Sequence, residues 1–357
     1  MMRALSDWLQ RRFIGTELGS LALLLFFIIL AFWLFGKLLA PVFVSVVFAY
    51  LMYGCVKQIE KLKCPHMLAV NLVFIVFLGV LVFALFFLVP LLWEQLSNLI
   101  NELPFKIKQV EGYIDYLSQE YPAYISKDQI NQWVSSFQTD FARMGQFALS
   151  FSIATISNVL MLVVYLVLVP LMVYFFVKDS NQILSWFALL LPPRRRLMKN
   201  VWVEVNEQIA NYIRAKILEL ILVGIAATLA FFFFGLKYAV LLGVLVGLSV
   251  LVPYVGVVIV TIPVFVVAYF QWGLDINFFY LVVVYSIIMV IDGNILAPLL
   301  FAETMEIHPV AVIIAILIFG GLWGFWGVFF AVPLASVAKA LLKAWFEPPK
   351  IEEQGVI

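Results

Sequence analysis

Long apolar runs dominate this chain of 357 residues. A helix needs about 20 apolar residues to cross about 30 Å of hydrocarbon. Six plain runs of roughly this length occur at residues 18–35, 38–56, 67–93, 148–177, 217–234 and 277–298. Hydrophobic residues form 65% of the chain and charged residues 12%, which leaves too little polar surface for a water-soluble globule. The chain is therefore predicted to be an all-α, polytopic integral membrane protein with about six full spans.

The distribution of lysine and arginine predicts the orientation. The basic clusters at residues 3–12, 57–63, 178–216 and 339–350 all fall on one side of this layout. That side is cytoplasmic by the positive-inside rule, and both termini lie there. Residues 94–147 fall on the other side, with seven acids against four bases.

Two segments outside the spans have amphipathic spacing. In residues 94–147, apolar side chains recur at helical intervals, and Pro104 and Pro122 divide the segment into pieces. This predicts an amphipathic helical extracytoplasmic insert whose helices pack on one another, lie on the membrane or contact neighbouring subunits. Residues 178–216 contain "ILSWFALLLPPRRRLMKN", which predicts interfacial helices on the cytoplasmic side.

Two further apolar runs are interrupted. The run at 239–270 is divided by "PYVG", and the run at 310–345 by "GGLWGFWG". The arms of the first run have about 14 residues, or about 21 Å of helix, too short to cross alone. Each run is either a kinked span or a re-entrant helical hairpin. Hairpins are favoured, because a straight span followed by a broken run, repeated from the opposite side, is typical of inverted-repeat transporters.

The breaks in these two runs free backbone hydrogen-bonding groups inside the membrane. Lipid cannot satisfy freed backbone groups, so broken helices persist only against protein or a water-filled cavity. Pro253 removes a donor, and Gly256 permits a turn and a close approach. The tips are therefore predicted to present backbone groups to a polar solute. The alternative is a simple proline kink or a glycine packing notch.

The span between the broken runs contains "IDGNILAP". An aspartate near the bilayer centre costs about 2.5–3.5 kcal/mol, so Asp292 is expected to line a cavity rather than face lipid. With Asn294 nearby, and with Gly293 and Pro298 loosening the helix, Asp292 is the best candidate for a substrate or proton contact. A carboxylate that snorkels to the interface is the alternative. Weaker candidates lie near span ends: Glu219, Glu303, Glu306 and His308.

The C-terminal part of the chain resembles a known family. The segments "NYIRAKILELILVG", "LLGVLVGLSVLVPYVGVVIVTIP", "IDGNILAPLL" and "EIHPVAVIIAILIFGGLWGFWGVFFAVPLASVAKAL" resemble, in order and spacing, the autoinducer-2 exporter family of bacterial permeases. The resemblance implies an inner-membrane transporter with two helical hairpins around the substrate path. It also implies a homo-oligomer, specifically a pentamer. Some members export autoinducer-2, and others are sodium/proton antiporters.

The resemblance also implies roles for individual residues. The residues that match the family's substrate path are Pro253, Tyr254, Gly256, Asp292, Gly320, Gly321 and Gly324. With Asn294, which lies two residues after Asp292, they form the predicted substrate-binding set. The coupling residues are predicted from the sequence itself and are Asp292, Glu303, Glu306 and His308. The positions that match the family also include the predicted hinge residues Pro298, Pro309, Gly327 and Pro333. The family often has glycine at positions 215 and 306, and a glycine followed by a basic residue at 302 and 303. The extra acids here could favour a cation.

The sequence thus predicts an exporter of a small polar solute that works by elevator-like movement. The alternatives are a sodium/proton antiporter, an oligomeric channel, an intramembrane enzyme and a scaffold.

No cofactor, metal site, nucleic-acid partner or enzymatic activity is expected, since only two cysteines and two histidines occur and no G-x-x-x-x-G-K-[ST] motif is present. The predicted regions are an N-terminal three-span bundle (1–93), the insert (94–147), the fourth span (148–177), the interfacial helices (178–216), the transport core (217–345) and a cytoplasmic tail (346–357).

Overall fold

The structure, a computed structural model, describes residues 39–120, 156–189, 196–301 and 308–346. Every regular element in these ranges is helical. The helices are α1 (Ala40–Lys61), α2 (His66–Phe83), α3 (Val89–Glu120), α4 (Ile156–Lys178), α5 (Ser180–Leu189), α6 (Arg196–Phe233), α7 (Ala239–Ser249), α8 (Val255–Trp272), α9 (Ile276–Ile291), α10 (Ala297–Phe301), α11 (Pro309–Trp323), α12 (Phe325–Phe329) and α13 (Ala331–Phe346). Single π-helical turns, Ala84–Leu88 and Asp292–Leu296, join α2 to α3 and α9 to α10. The predicted span at 18–35 lies outside the described residues.

Several of these helices are long and apolar enough to cross a membrane. Within the described ranges there are 5 such segments, at Ala40–Lys61, His66–Lys106, Val205–Phe233, Val255–Trp272 and Ile276–Phe301. The pair Val163–Lys178 and Ser180–Trp186, bent by 84°, makes a sixth if it is one span. All-helical structure suits these apolar runs, because a helix satisfies its backbone hydrogen bonds internally. The prediction of a polytopic, all-α membrane protein is confirmed.

The first part of the molecule is a bundle of α1, α2 and α4. Its core is formed by small apolar residues, among which Val56, Ala69, Val70 and Val173 are fully buried. Buried Ser45 donates to the Pro41 carbonyl at 2.7 Å and lies 3.4 Å from the Val169 carbonyl of α4. We call this unit the N-terminal bundle.

The second part of the molecule is organised around α6. This 38-residue helix packs against α1, α7, α9, α10 and α13. Small residues bring α6 and α7 close together: a Cβ on Gly247 would lie 2.7 Å from the Leu220 carbonyl oxygen, and one on Gly243 would clash with Thr228. Such small-residue contacts are the usual way for helices to pack tightly in lipid. The unit formed by α6 to α13 is called the hairpin unit below.

The interrupted run at 239–272 is a hairpin. Gln271, at the end of α8, donates from Nε2 to the Gly235 carbonyl at 2.8 Å and accepts from the Lys237 N–H at 2.7 Å. The two ends of this segment therefore lie side by side, which excludes a kinked span. The arms are unequal, with 11 residues in α7 and 18 in α8, whereas about 14 each were predicted. The prediction that neither arm could cross alone is wrong for α8, which is about 27 Å long.

The second interrupted run, at 309–346, also reverses direction. A Cβ on Gly327 would clash with the Phe319 carbonyl oxygen, and one on Gly320 would lie 2.8 Å from Val328 Cγ2. In a straight helix, residues eight apart are separated by about 12 Å along the axis. The chain therefore turns back at Gly324, and α11 packs against α13.

The outer insert differs from the prediction at one proline. Pro104 was expected to separate two helices, but it lies inside α3. Proline in a helix interior removes one hydrogen bond and kinks the helix without always ending it. Pro104 is exposed, so water can bind the carbonyl that it frees. A helical rod consequently continues through the π-turn from His66 to Glu120.

Candidate functional site

The two hairpin tips contribute to one buried apolar cluster. Leu251 comes from the first tip and Phe329 from the second, and both belong to the same cluster as Tyr212 of α6 and Phe301 of α10. The Tyr212 hydroxyl donates to the Phe329 carbonyl at 3.0 Å, which ties the second tip to α6. The cluster also includes Val47 of α1, so the N-terminal bundle reaches the same place.

The first tip is a tight turn between α7 and α8. Tyr254 has φ +63°, a conformation that side-chain-bearing residues rarely adopt, and its side chain is 58% exposed. The N–H groups of Val255 and Gly256 donate to the carbonyls of Pro253 and Val252, at 2.7 and 3.0 Å. These donors are therefore used within the turn. The tip offers a solute mainly carbonyl oxygens and the Tyr254 side chain.

The second tip is rich in glycine. Gly324 has φ +59°, where glycine adopts a conformation that other residues avoid. Gly321 and Gly324 face open space, whereas Gly327 is buried against Phe319. Gly320 also packs against the returning arm. Of the predicted binding glycines at this tip, Gly321 and Gly324 thus have room beside them for a solute.

Asp292 is buried at the junction of α9 and α10. The residue is 8% exposed, and its Oδ1 atom has no hydrogen-bond partner within the described ranges. The π-turn that begins at Asp292 packs against α6. Asn294 is exposed and donates to the Val290 carbonyl of its own helix at 2.9 Å. Pro298 is exposed on α10, so Asp292 is the member of this group that faces the interior.

A buried ion pair lies beside Asp292. Lys216 Nζ is 2.7 Å from Glu219 Oε2, and the two side chains are 7% and 5% exposed. The Lys216 ammonium also lies over the Phe301 ring, 5.2 Å from its centroid. Helix α6, which carries the pair, packs against the π-turn that begins at Asp292. The site therefore contains two acids and one base.

Sequence reasoning missed the importance of this pair. Lys216 counted only as a marker of orientation, and Glu219 only as a weak candidate near a span end. The available signal was the spacing in "KILE", because a base and an acid three residues apart share one helix face. This spacing alone did not indicate a buried site, because a base at the start of a span also fits an anchor at the lipid headgroups.

The remaining predicted residues have mainly structural positions. His308 begins the second hairpin, and its Nδ1 accepts from the Val310 N–H at 3.3 Å. Pro309 is the first residue of α11, where a missing N–H has no cost. Pro333 is buried near the start of α13. Glu303 and Glu306 lie outside the described residues.

The arrangement suits transport of a polar solute or an ion. Within the described ranges, no group of three or more histidine, cysteine, aspartate or glutamate residues could hold a metal. Two helical hairpins instead surround a buried, charged position in an otherwise apolar protein. A multi-pass helical protein with such a position belongs to the permease class of membrane transport proteins.

Comparison with known proteins identifies the family within that class. The sequence profile of the AI-2E family transporter matches residues 21–347, so the chain belongs to the AI-2E transporter family. It is 42% identical to the inferred permease PerM of Escherichia coli (strain K12), over 97% of this chain and 98% of PerM. It is 26% identical to the inferred transport protein YueF of Bacillus subtilis (strain 168), over 85% and 83% of the two chains.

Proposed function

We propose that this chain is a secondary transporter that exports a small polar solute, an autoinducer-2-like signal by its family. The two hairpin tips and Asp292 form the solute site. The observation that carries the proposal is the buried Asp292 carboxyl group, whose Oδ1 has no partner in the described part of the chain. Because an ionisable group at depth is expensive, it is retained where a solute or ion uses it.

The two-core construction supports elevator-like movement. The N-terminal bundle and the hairpin unit each have a buried core of their own. The bundle and the hairpin unit are joined by the Tyr50–Asn206 contact at 2.6 Å and by Val47, which packs in the apolar cluster at the tips. The hairpin unit can move as one body against the bundle and keep its core around α6, α7 and α8, but the contact at Val47 must then be exchanged. In this proposal the movement exposes Asp292 to each side in turn.

The location and assembly follow from the basic clusters and the family. We place the chain in the bacterial inner membrane with both termini in the cytoplasm, because the basic clusters favour that side. The broken runs then re-enter the bilayer from opposite faces. Assembly into a homo-oligomer of five subunits is proposed from the family resemblance.

Export is tested by measuring autoinducer-2 in the medium of cells that lack other permeases of this family. Cells expressing the wild-type chain should accumulate the signal outside faster than cells without it. Asp292→Asn should lower that rate at least tenfold, which corresponds to about 1.4 kcal/mol. The matched control is Asp275→Asn, since Asp275 is exposed at the start of α9. Export by Asp292→Asn at the wild-type rate, with equal amounts in the membrane, would contradict the proposal.

A sodium/proton antiporter is the second candidate. The observation that favours it is the excess of acid at the site, which suits a cation. Inverted vesicles loaded with a pH-sensitive dye would then show loss of the proton gradient when NaCl is added, and Asp292→Asn vesicles would not. An oligomeric channel differs from both, because purified protein in a planar bilayer would conduct without saturable exchange.

A further inference from the structure

The charges at the site do not balance within the described residues. Lys216 contributes one positive charge, whereas Glu219 and Asp292 can contribute two negative charges. The three residues are 5%, 4% and 8% exposed, so water compensates none of them well. An uncompensated buried charge costs several kcal/mol, and a carboxyl group avoids that cost by binding a proton.

The hydrogen bonds indicate which acid holds the proton. Glu219 accepts from Lys216 at 2.7 Å and is stabilised in its charged form. Asp292 Oδ1 has no acceptor or donor within hydrogen-bond distance among the described residues. Asp292 is therefore the group that is more stable in its neutral form.

We propose that Asp292 carries the coupling proton and that Lys216 bridges Glu219 and Asp292 when this proton leaves. The inference rests on the proposed transport function and identifies its coupling cation. In the step, Asp292 releases one proton to water in the solute path, and its carboxylate becomes negative. Lys216 keeps its three protons and gives a hydrogen bond to each acid.

The geometry of Lys216 suits this role. An ammonium group has three N–H donors, and the described structure uses one of them, toward Glu219. The Phe301 ring stabilises the ammonium without using a donor. The π-turn of Asp292 packs directly on α6, which carries Lys216, so a change in the Lys216 rotamer is the movement that the proposal requires.

Among the residues that the structure describes, few other titratable groups face Asp292. Of the elements that pack on its π-turn, α6 contributes Lys216, Glu219 and Tyr212, and the Tyr212 hydroxyl is bonded to the Phe329 carbonyl. In α9, Tyr285 is about 10 Å away along the helix and is bonded to Thr261. The sequence of α10, "APLLF", contains no titratable side chain. Within the described part of the chain, the Lys216–Glu219 pair is therefore the charged group that lies on the element packed against Asp292.

The test is infrared spectroscopy of the purified full chain in liposomes, which detects the C=O band of a protonated carboxyl group. The wild type should show a band that disappears as the pH rises, and Asp292→Asn should lack that band. The key variant is Glu219→Gln, which removes the competing carboxylate and leaves Lys216 free to pair with Asp292. Because the positive charge then acts on Asp292 with no like charge beside it, the midpoint pH of the band should fall by at least about one unit. The control, Glu102→Gln, removes the acid of an exposed ion pair and should leave the midpoint unchanged.

Three results would overturn the inference. One is a band that persists in Asp292→Asn, because the proton would then be elsewhere. The second is an unchanged midpoint in Glu219→Gln, because Lys216 would then not pair with Asp292. The third is a band that does not change with pH, because a carboxyl group that never releases its proton cannot carry it across the membrane. The band reports the proton on Asp292 whether or not the chain exports a signal, so failure of the export assay is a separate result.

Discussion

Two glycines allow the hairpin tips to close. At the first tip Gly256 lies against the carbonyl oxygen of Ser249, and at the second Gly327 lies against that of Phe319. In both places the neighbouring atom is backbone, which cannot move aside as the end of a flexible side chain can. The same device therefore shapes the two tips, although their sequences differ.

Adding a methyl group at either glycine should destabilise the protein. Gly256→Ala and Gly327→Ala are each expected to lower the free energy of unfolding by about 1–3 kcal/mol, because the Cβ overlaps a carbonyl oxygen. Thermal unfolding in detergent measures the effect. The control is Gly321→Ala, which meets no atom within 4 Å and should be neutral or slightly stabilising. Unfolding of both tip variants at the wild-type temperature would show that the tips are more open than the structure indicates.

Tyr254 combines backbone strain with a place at the proposed solute site. Its φ of +63° and ψ of −51° lie in a sparsely populated region of backbone conformation, which costs about 1–3 kcal/mol for a residue with a Cβ. Tyr254→Gly should therefore raise stability while it lowers the export rate, because the exposed ring at the tip is lost. Tyr254→Phe keeps the ring and the strain and removes only the hydroxyl. If Tyr254→Gly gained stability and exported normally, the Tyr254 side chain would have no part in transport.

Some residues of the proposed site could be predicted from the sequence, and others could not. Asp292 and Pro253 could be predicted, because an acid or a proline in an apolar run is costly and needs a reason. Lys216 could not, since a basic residue at the start of a span also fits an anchor at the lipid headgroups. Its burial depends on how α6 packs against α10 and α13, which is a tertiary property.

At the scale of elements, α3 holds the mouth of the first hairpin. Helix α7 begins without a side-chain cap of its own, and Gln95 of α3 accepts from the Leu241 N–H at 2.9 Å. Glu102 of α3 pairs with Lys237 at 3.2 Å, just before α7. These contacts join the rod that extends from the N-terminal bundle to the hairpin unit, so elevator-like movement must break them.

A cross-link across this contact should stop transport. The Glu102–Lys237 ion pair joins the ends of two long side chains, so two cysteines at these positions need a reagent to span them. In a Cys55→Ser/Cys64→Ser background, the pair Glu102→Cys/Lys237→Cys is expected to lose export when joined by a reducible bifunctional thiol reagent and to regain it on reduction. The control is Lys237→Cys/Gln271→Cys with the same reagent, which links two ends of the same hairpin and should leave export intact. Export by the cross-linked Glu102→Cys/Lys237→Cys protein at the reduced rate would show that the two elements do not separate.

Helices whose position is set by hydrophobicity were predicted well, and helices whose length is set by packing were predicted less well. The spans at 38–56, 67–93, 217–234 and 277–298 match described helices, because apolar length is a direct consequence of bilayer thickness. The lengths of the hairpin arms could not be predicted from the position of "PYVG" alone. The hydrogen bond between Gln271 and the Gly235 carbonyl closes the hairpin, and this contact forms only in the folded chain.

At the scale of the whole molecule, the charged site is nearer one end of the spans than the middle. Glu219 lies about 21 Å from the end of α6 at Phe233, and Asp292 about 24 Å from the start of α9, at 1.5 Å per residue. The end of α6 comes just before the first hairpin in the sequence, and the start of α9 comes just after it. Both acids therefore lie at similar depth, on the side that carries most of the basic residues. Sequence reasoning expected a site at the midplane, because it could not fix where each span begins.

The central claim is that the two broken runs re-enter the membrane from opposite faces and meet at this site. Single cysteines at Gln271 and Thr304, in the Cys55→Ser/Cys64→Ser background, report this when labelled with an impermeant reagent in right-side-out and inverted vesicles. We expect Gln271→Cys to react only from the outside and Thr304→Cys only from the cytoplasmic face. Reaction of Gln271→Cys only from the cytoplasmic face would contradict the account.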